Sequence, residues 1–263
     1  MINSDGKLRP VLADPEGIET RLVDLELRAF ARTPYDRLFT ELGTLAAAEQ
    51  ALAAGCDALY IDTFGDYAIE LVRAVADIPV IGAGETAIAV AAKFGTFSIV
   101  TVWPESMAYL YDERLRTCIG GSQCVGVHYF SLEHELDKVG TGTGVKARMR
   151  RGDDSLVDQL AAACRAARET DGSDVVLLGC TCMAPIYDAL RHQCDFPILE
   201  VSSLGQQAAM DAAVGNAPPV DRARTRRAGE ASLLAHAWLQ NQPTTAVSDE
   251  CSVCAFGGDN AND

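Results

Sequence analysis

The strongest constraint on the fold of this chain is a pattern that occurs twice. One copy begins at Asp57 and reads "DALYIDTFGDYAIELVRAVADIPVIGAGETAIAVAA"; the other begins at Asp174 and reads "DVVLLGCTCMAPIYDALRHQCDFPILEVSSLGQQAAM". Each copy runs from an acidic residue through an apolar strand, a turn, a helix and a short second strand to a helix of small residues. Thr63 in the first copy stands where the second has Cys180, and the one residue added later in the second copy is within normal loop variation.

Strand-like and helical segments alternate along the chain, which is typical of an α/β fold with a parallel sheet covered by helices. The predicted strands are 20–27, 57–62, 79–83, 96–102, 124–129, 174–178 and 197–201. The predicted helices are 34–54, 65–76, 86–93, 105–118, 154–169 and 184–192. The pattern has two interpretations. Any two βαβ units look partly alike, so the similarity alone does not require a repeat; if the repeat is real, the molecule has two similar halves. Thr63 and Cys180 would then each lie at the carboxyl end of a strand, where open α/β sheets bind ligands.

Composition narrows the classes of partner. The 263-residue chain carries a net charge of −15, which argues against nucleic acid and anionic membrane surfaces as partners. An anionic substrate is compatible with this charge because a helix N-terminus binds an anion locally. No apolar run reaches the roughly 18 residues of a membrane span, and the N-terminus lacks a signal-peptide pattern. We therefore expect a cytoplasmic protein, and nine cysteines, an odd number, fit buried thiols in a reducing compartment.

Cys180 is the predicted reactive residue because it ends the apolar strand "VVLLG" just before a helix with Pro185 in its first turn. The N–H groups of that turn and the helix dipole favour a thiolate over a thiol. The same N–H groups would bind a carboxylate or an enolate-type oxyanion, and Gly179 lets the backbone approach a ligand. Inert packing is the interpretation for five other cysteines, Cys56, Cys118, Cys124, Cys164 and Cys194.

Neither a metal nor an organic cofactor is predicted. Cys180 and Cys182 are followed by His192 and Cys194, but without a matching second cysteine pair this is a poor zinc pattern. Another Cys-x2-Cys occurs at 251–254, in a tail without periodicity. No glycine-rich dinucleotide motif or Walker motif follows a predicted strand.

The two copies of the repeat carry a family resemblance. "LLGCTCM" resembles the second cysteine motif of the aspartate/glutamate/hydantoin racemase superfamily, "DTFGDYAIELVRAVADIPVIGAGE" resembles the first motif of its hydantoin-racemase branch, and "FGTFSIVT" resembles the next strand. The resemblance implies an α/β fold of two pseudo-symmetric lobes, each a mainly parallel sheet flanked by helices, with the active site between the lobes. It implies proton transfer at a substrate carbon by two opposed cysteines, without a cofactor.

The resemblance also implies a division of the chain. Residues 1–102 and 203–240 would form the lobe that carries Thr63, and residues 103–202 the lobe that carries Cys180. Residues 140–154, glycine-rich and then basic, are predicted to form a mobile surface loop or flap. The tail 241–263 is predicted to be disordered.

The sequence departs from the family pattern at the first cysteine, where it has Thr63. A threonine hydroxyl is too weak an acid to replace a thiolate as general base. We expect Cys180 to be the catalytic acid/base and Thr63 its hydrogen-bonding partner, in an enzyme that moves a proton next to a carboxylate or cyclic imide carbonyl. A single-cysteine decarboxylase of the arylmalonate decarboxylase type and a catalytically silent ligand-binding protein are the alternatives.

The expected substrate is a small anionic or cyclic-imide molecule, such as an amino acid, a hydantoin or a related acid. The sequence leaves the number of subunits open, a homo-oligomer included. Candidate substrate-binding residues lie in the two turns, at the end of the predicted strand 96–102 and near the N-terminus. The resemblance implies a polar substrate-binding turn at the N-terminus, of which Asn3 would be a remnant. The candidates are Asn3, Phe64, Gly65, Thr101, Gly179, Thr181 and Cys182.

Overall fold

The computed structural model describes residues 1–3, 12–27, 29–216 and 229–241. Within these residues the strands form two four-stranded sheets in which every pair is parallel. The first sheet contains β1 (Ile2–Asn3), β2 (Val23–Asp24), β3 (Leu59–Ile61) and β4 (Val80–Gly82). The second contains β5 (Phe97–Thr101), β6 (Cys124–Tyr129), β7 (Val175–Leu178) and β8 (Ile198–Leu199).

The two sheets have the same topology, β2-β1-β3-β4 and β6-β5-β7-β8. β3 and β7, the first strands of the two repeat copies, occupy the same position in their sheets, and so do β4 and β8. The predicted fold of two pseudo-symmetric α/β lobes is thereby confirmed.

Nine helices flank the sheets in the described part of the chain. They are α1 (Pro34–Ala53), α2 (Ile69–Val75), α3 (Ala83–Ala91), α4 (Ala108–Thr117), α5 (Val145–Arg150), α6 (Asp154–Asp171), α7 (Tyr187–Gln193), α8 (Val201–Asp211) and α9 (Glu230–Gln240). α1 begins with a capping box between Thr33 and Asp36 and has proline at its first position, a strong local start signal. None of the helices in the described residues has the length and apolarity needed to cross a membrane.

The lobes meet along α3 and α8, the helices that follow equivalent strands in the two copies. Buried polar groups join them here as well. The hydroxyl of Tyr60 on β3 lies 3.1 Å from the carbonyl oxygen of Ser202 on α8, and the Ser202 hydroxyl donates to Asp62 at 2.5 Å. Each buried polar group in such a contact needs a partner, so the contact fixes one arrangement of the lobes.

Three predictions about strands and loops differ from the structure. β5 pairs with β6 and β7 in the second sheet, whereas the predicted division after residue 102 assigned it to the first lobe. Residues 145–150, predicted to lie in a mobile loop, form α5, which is anchored by the buried side chains of Val145 and Met149. The predicted strand 20–27 is reduced to β2. The predicted tail lies outside the described residues beyond 241.

Candidate active site

Residues of both lobes line a cavity of about 70 Å³ where the turns after β3 and β7 meet. This volume is large enough for several water molecules or a small ligand. The lining residues that the sequence singled out are Thr63, Phe64, Gly65, Gly179, Cys180 and Thr181. The structure therefore brings the two turns of the repeat together at one site.

The two turns have equivalent hydrogen bonds. In each, the N–H group two residues further on donates to the side chain at the start of the turn: Gly65 to Thr63 Oγ1 at 3.4 Å and Cys182 to Cys180 Sγ at 3.2 Å. The N–H group three residues further on donates to the carbonyl oxygen of Thr63 at 3.1 Å and of Cys180 at 3.0 Å. The N–H groups after Cys180 were expected to face a substrate oxyanion, but in both turns these N–H groups organise the backbone and position the side chains of Thr63 and Cys180.

Cys180 is not a free thiol in this structure. Its sulfur is bonded to that of Cys182, and the Cα atoms of the pair lie 5.1 Å apart, within the usual range for a disulfide. The expectation of a reactive thiolate therefore applies to the reduced protein. The segment that follows is a 3-10 helix, Thr181–Ile186, and α7 begins only at Tyr187, because Cys180 and Pro185 impose a tighter turn than the predicted helix 184–192.

The other cysteines of the described residues are free, as their interpretation as packing residues requires. Burial raises the pKa of each thiol, which keeps it protonated and unreactive near neutral pH. The pKa is raised to about 11 in Cys118 and Cys124 and to about 12 in Cys164, and it is also raised in Cys56 and Cys194.

Three candidate substrate-binding residues do not lie among the residues that line the cavity. Thr101 is fully buried behind it, where its hydroxyl lies 2.5 Å from that of Tyr111, which in turn donates to the Gly179 carbonyl at 2.9 Å. Thr101 thus supports the wall of the cavity from behind. Cys182 is only 4% exposed, with its sulfur bonded to Cys180. Asn3 pairs with Asp24 at the end of β1, and its side chain is not described.

Beside Phe64, the walls of the cavity come from residues that no sequence motif marked, among them Phe30, Trp103 and Tyr111. The rings of Phe30 and Trp103 lie 4.8 Å apart, and those of Phe64 and Tyr111 lie 5.1 Å apart. Aromatic residues are only 6% of the chain, and the four in these two pairs make this wall of the cavity apolar. Leu110 and Tyr111 on α4 and Met107 just before it follow helical spacing, which was the available sequence signal for this wall.

Lys146 and Tyr67 contribute polar groups to the same cavity. Lys146 lies on α5, and its Nζ atom is 6.0 Å from the centroid of the Trp103 ring. Burial raises the pKa of Tyr67, so its phenol stays neutral, and Thr63 lines the cavity beside it. The cavity therefore combines one cationic side chain with neutral hydroxyl groups.

Asp66 holds the first turn in place. Its buried carboxylate accepts hydrogen bonds from the N–H groups of Gly84 at 2.8 Å and Glu85 at 2.7 Å, at the start of α3. Asp66 and Ala68 both have positive φ angles, of 45° and 60°, which is uncommon for residues with a side chain and is concentrated at functional sites. The turn that presents Thr63 is thus a constrained backbone fixed by a buried carboxylate.

The Asp66 carboxyl also predicts a dependence of stability on pH. Burial, reinforced by the charge of Glu85, raises its pKa to about 7, so the folded protein holds a proton that the unfolded chain has lost above pH 4. The unfolding free energy that Asp66 contributes is therefore present at low pH and is lost as the pH rises from about 4 to about 7.

We expect Asp66→Asn to remove this loss, which is at most about 1.4 kcal/mol per pH unit. Urea unfolding from pH 4 to pH 7 measures the difference between wild type and variant at each pH. The exposed Asp112 on α4 supplies the control, since Asp112→Asn should follow the wild-type profile. A difference between wild type and Asp66→Asn that does not change with pH would contradict the assignment.

The fold and the paired turns place this chain in a class of two-lobed α/β proteins with a site between the lobes. The chain belongs to the Asp/Glu/Hydantoin racemase family, whose family model matches residues 12–209. The hydantoin racemase of Pseudomonas sp. (strain NS671) is 25% identical over 167 residues, which are 63% of this chain and 62% of that protein. The hydantoin racemase of Rhizobium meliloti is 26% identical, over 63% of this chain and 64% of that protein. The matches thus span less than two thirds of these relatives, and they place the chain in the hydantoin-racemase-like branch.

Solved structures share the fold. An allantoin racemase from Klebsiella pneumoniae matches with a TM-score of 0.61 and 22% identity, over 88% of this chain and 91% of that one. A double mutant of arylmalonate decarboxylase in its liganded form matches with a TM-score of 0.56 and 18% identity, over 84% of this chain and 95% of that one. At these identities the likeness establishes the fold alone.

Proposed function

We propose that this protein is a racemase-type isomerase that needs no cofactor and moves a proton at a carbon next to a carboxylate or cyclic imide carbonyl. The observation that carries the proposal is the pair of equivalent turns that place Thr63 and Cys180 at one cavity between the lobes. Membership of the Asp/Glu/Hydantoin racemase family supports the same class of reaction. The active species is the protein with Cys180 reduced.

In this mechanism the Cys180 thiolate removes the proton from the α-carbon, and the electron pair moves onto the adjacent carbonyl oxygen. The Thr63 hydroxyl, which lines the cavity from the first lobe, donates a hydrogen bond to the substrate. Because a hydroxyl of this kind stays protonated, it cannot act as a second base. Cys180 therefore exchanges the proton on one face much faster than the enzyme inverts the carbon, and the slower inversion takes its proton from a water molecule on the other face.

The single thiol also fits a second reaction. Loss of CO2 from a malonate-type substrate leaves the same kind of enediolate, which one thiol can protonate on one face. The cavity has one cysteine sulfur among its lining residues, which is the observation that favours this candidate. The two reactions differ in whether a carbon–carbon or a carbon–hydrogen bond breaks, so the products distinguish them.

The lining of the cavity points to a substrate with a negative charge and an apolar substituent. Lys146 carries the positive charge among the described lining residues, and the aromatic wall beside it suits an apolar group. A charged group that leaves water for such a site needs a partner of opposite charge. We therefore favour small carboxylates and ionised imides over neutral substrates.

Replacing Lys146 with methionine is expected to raise KM for an anionic substrate by about 10-fold, the effect of losing one charged hydrogen bond, with little change in kcat. Methionine keeps much of the apolar side chain, so contact with Trp103 is preserved. Steady-state kinetics on a carboxylate and on a neutral hydantoin measures the difference. Lys138→Met is the control, because Lys138 pairs with Glu135 and does not line the cavity. An equal loss on both substrates would contradict a charge-specific role.

Proton NMR in D2O tests the proposed function directly. The reduced protein is incubated with amino acids, substituted hydantoins and substituted malonates in separate samples. Deuterium at the α-carbon without loss of CO2 supports the racemase-type reaction, whereas loss of CO2 with deuteration on one face moves the assignment to a decarboxylase. If all three classes stay unchanged while the reduced protein is folded, the proposed chemistry is wrong.

A further inference from the structure

We propose that Cys182 is the resolving cysteine of a reversible thiol–disulfide latch that switches the Cys180 site off under oxidising conditions and on when a dithiol reduces it. The inference rests on the proposed function, because it takes Cys180 as the acid/base. The observation that carries it is the bond between the two sulfur atoms at the edge of the cavity. The latch is a property of this turn, in which one residue separates the two cysteines.

Oxidation of the pair removes the chemistry from the cavity without blocking it. Cys180 lines the cavity, while Cys182 is 4% exposed and lies behind it. A sulfur in a disulfide has no proton to give and cannot accept one, so the oxidised site lacks its acid/base. Thr63 cannot take over, since its hydroxyl remains protonated.

The latch is selective for this pair of cysteines. Oxidants react with thiolates, and burial raises the pKa of the five other cysteines in the described residues. Cys180 instead faces the cavity and has a second sulfur within bonding distance. A hydroperoxide that enters the cavity therefore meets Cys180 first.

The turn is held by bonds that do not depend on the disulfide. The Thr181 hydroxyl lies 3.4 Å from the carbonyl oxygen of Asp62 in the other lobe, and the Gly179 N–H donates to the Val100 carbonyl at 2.8 Å. The N–H group of Met183 donates to the carbonyl of Cys180 at 3.0 Å. We expect the turn to keep its shape when the disulfide is reduced, which lets the latch open without unfolding.

The oxidant in this proposal is a hydroperoxide, and the redox steps balance. The Cys180 thiolate attacks the terminal oxygen, the oxygen–oxygen bond breaks, and a sulfenic acid and a water or alcohol molecule form after protonation. The Cys182 thiol then attacks the Cys180 sulfur and releases water, which leaves the disulfide. Two thiols lose two electrons and the hydroperoxide gains them; a dithiol reverses the process by exchange and becomes a disulfide itself.

The test uses the full chain, hydrogen peroxide as the oxidant and dithiothreitol as the reductant. Blocking free thiols with iodoacetamide and measuring the masses of the digested peptides shows the state of the pair without any activity assay. Wild type should give a peptide with an internal disulfide, about 2 Da lighter than the dithiol form. Its α-proton exchange should fall to below about a tenth of the untreated rate and return after reduction.

Cys182→Ser separates the latch from simple thiol damage. Without the resolving sulfur, peroxide should drive Cys180 to sulfinic acid, and dithiothreitol should not restore the activity, measured relative to the untreated variant. Cys194→Ser is the control and should behave as wild type, because Cys194 follows α7 and does not line the cavity.

The outcomes distinguish the two proposals. Overoxidation of Cys180 in wild type, with no internal disulfide by mass, overturns the latch whatever the activity. An internal disulfide that forms and reopens while proton exchange continues unchanged overturns the role of Cys180 in the proposed function. Reversible bond formation that follows the loss and return of exchange supports both.

Discussion

Replacing Cys180 with serine is expected to lower the rate of deuterium incorporation at the substrate α-carbon by about 10²- to 10⁴-fold, the usual contribution of a positioned general acid/base. Serine preserves the size of the side chain and can still accept the Cys182 N–H bond, so the turn should keep its shape. The serine hydroxyl, however, is not ionised near neutral pH, so it cannot act as the base. The loss should appear mainly in kcat, because the group acts on the reacting carbon and contributes little to ground-state binding.

The comparison needs reducing conditions, since Cys180 and Cys182 are bonded to each other in the structure and a disulfide sulfur has no proton to transfer. Cys164→Ser is less suitable as a control because the residue is fully buried in the core, so Cys194→Ser serves here too. Circular dichroism and thermal unfolding establish that each variant is folded. A Cys180→Ser protein that is folded and still exchanges the α-proton at the wild-type rate would eliminate the thiol mechanism.

The fold was predictable from local pattern because the strands of the repeat are buried on both faces. β6 has the predicted bounds 124–129, and β3, β4, β5, β7 and β8 lie within predicted strands. Except for the partly exposed β6, these strands lie in buried and mainly apolar runs, which are typical of parallel sheets. β1, with only two residues, is too short to give a pattern, although it lies in the middle of its sheet between β2 and β3.

The predicted helix boundaries were wrong where contacts between residues distant in sequence determine where a helix begins. The predicted helix 65–76 begins only at Ile69, because the turn before it keeps Asp66 and Ala68 at positive φ angles. α3 begins at Ala83, earlier than predicted, since the Asp66 carboxylate satisfies the N–H groups at its start. Gly84 allows this contact: a side chain at this position would clash with the carbonyl of Phe64.

Thr63 and Cys180 could be predicted as site residues from the sequence, whereas most of the residues that form the walls of the cavity could not. The repeat aligned Thr63 with Cys180, and the structure brings both to one cavity. Lys146 and Trp103 come from segments with no motif, and they reach the cavity only through the packing of the second lobe. The bond between Cys180 and Cys182 was missed because composition favoured free thiols, and a global cysteine count cannot identify a local pair.

Replacing Thr63 with cysteine is expected to give the largest gain of function, raising the rate of inversion at the α-carbon by about 10²-fold or more. Thr63 and Cys180 occupy equivalent turns of the two lobes, with equivalent hydrogen bonds, and both line one cavity. A thiol at the first turn would therefore accept or donate a proton on the face that Cys180 does not reach. Exchange on one face would become exchange on both.

The ratio of inversion to exchange is the quantity to measure, because it does not depend on how much active protein each preparation contains. Chiral chromatography gives the inversion rate and NMR in D2O the exchange rate on the same substrate. Thr63→Ser keeps the hydroxyl and should leave the ratio near that of wild type, whereas Thr63→Cys should raise it strongly. If wild type already inverts the carbon as fast as it exchanges the proton, a donor other than a second thiol serves the Thr63 face. The hydroxyl pair of Thr63 and Tyr67 would then be the group to replace next.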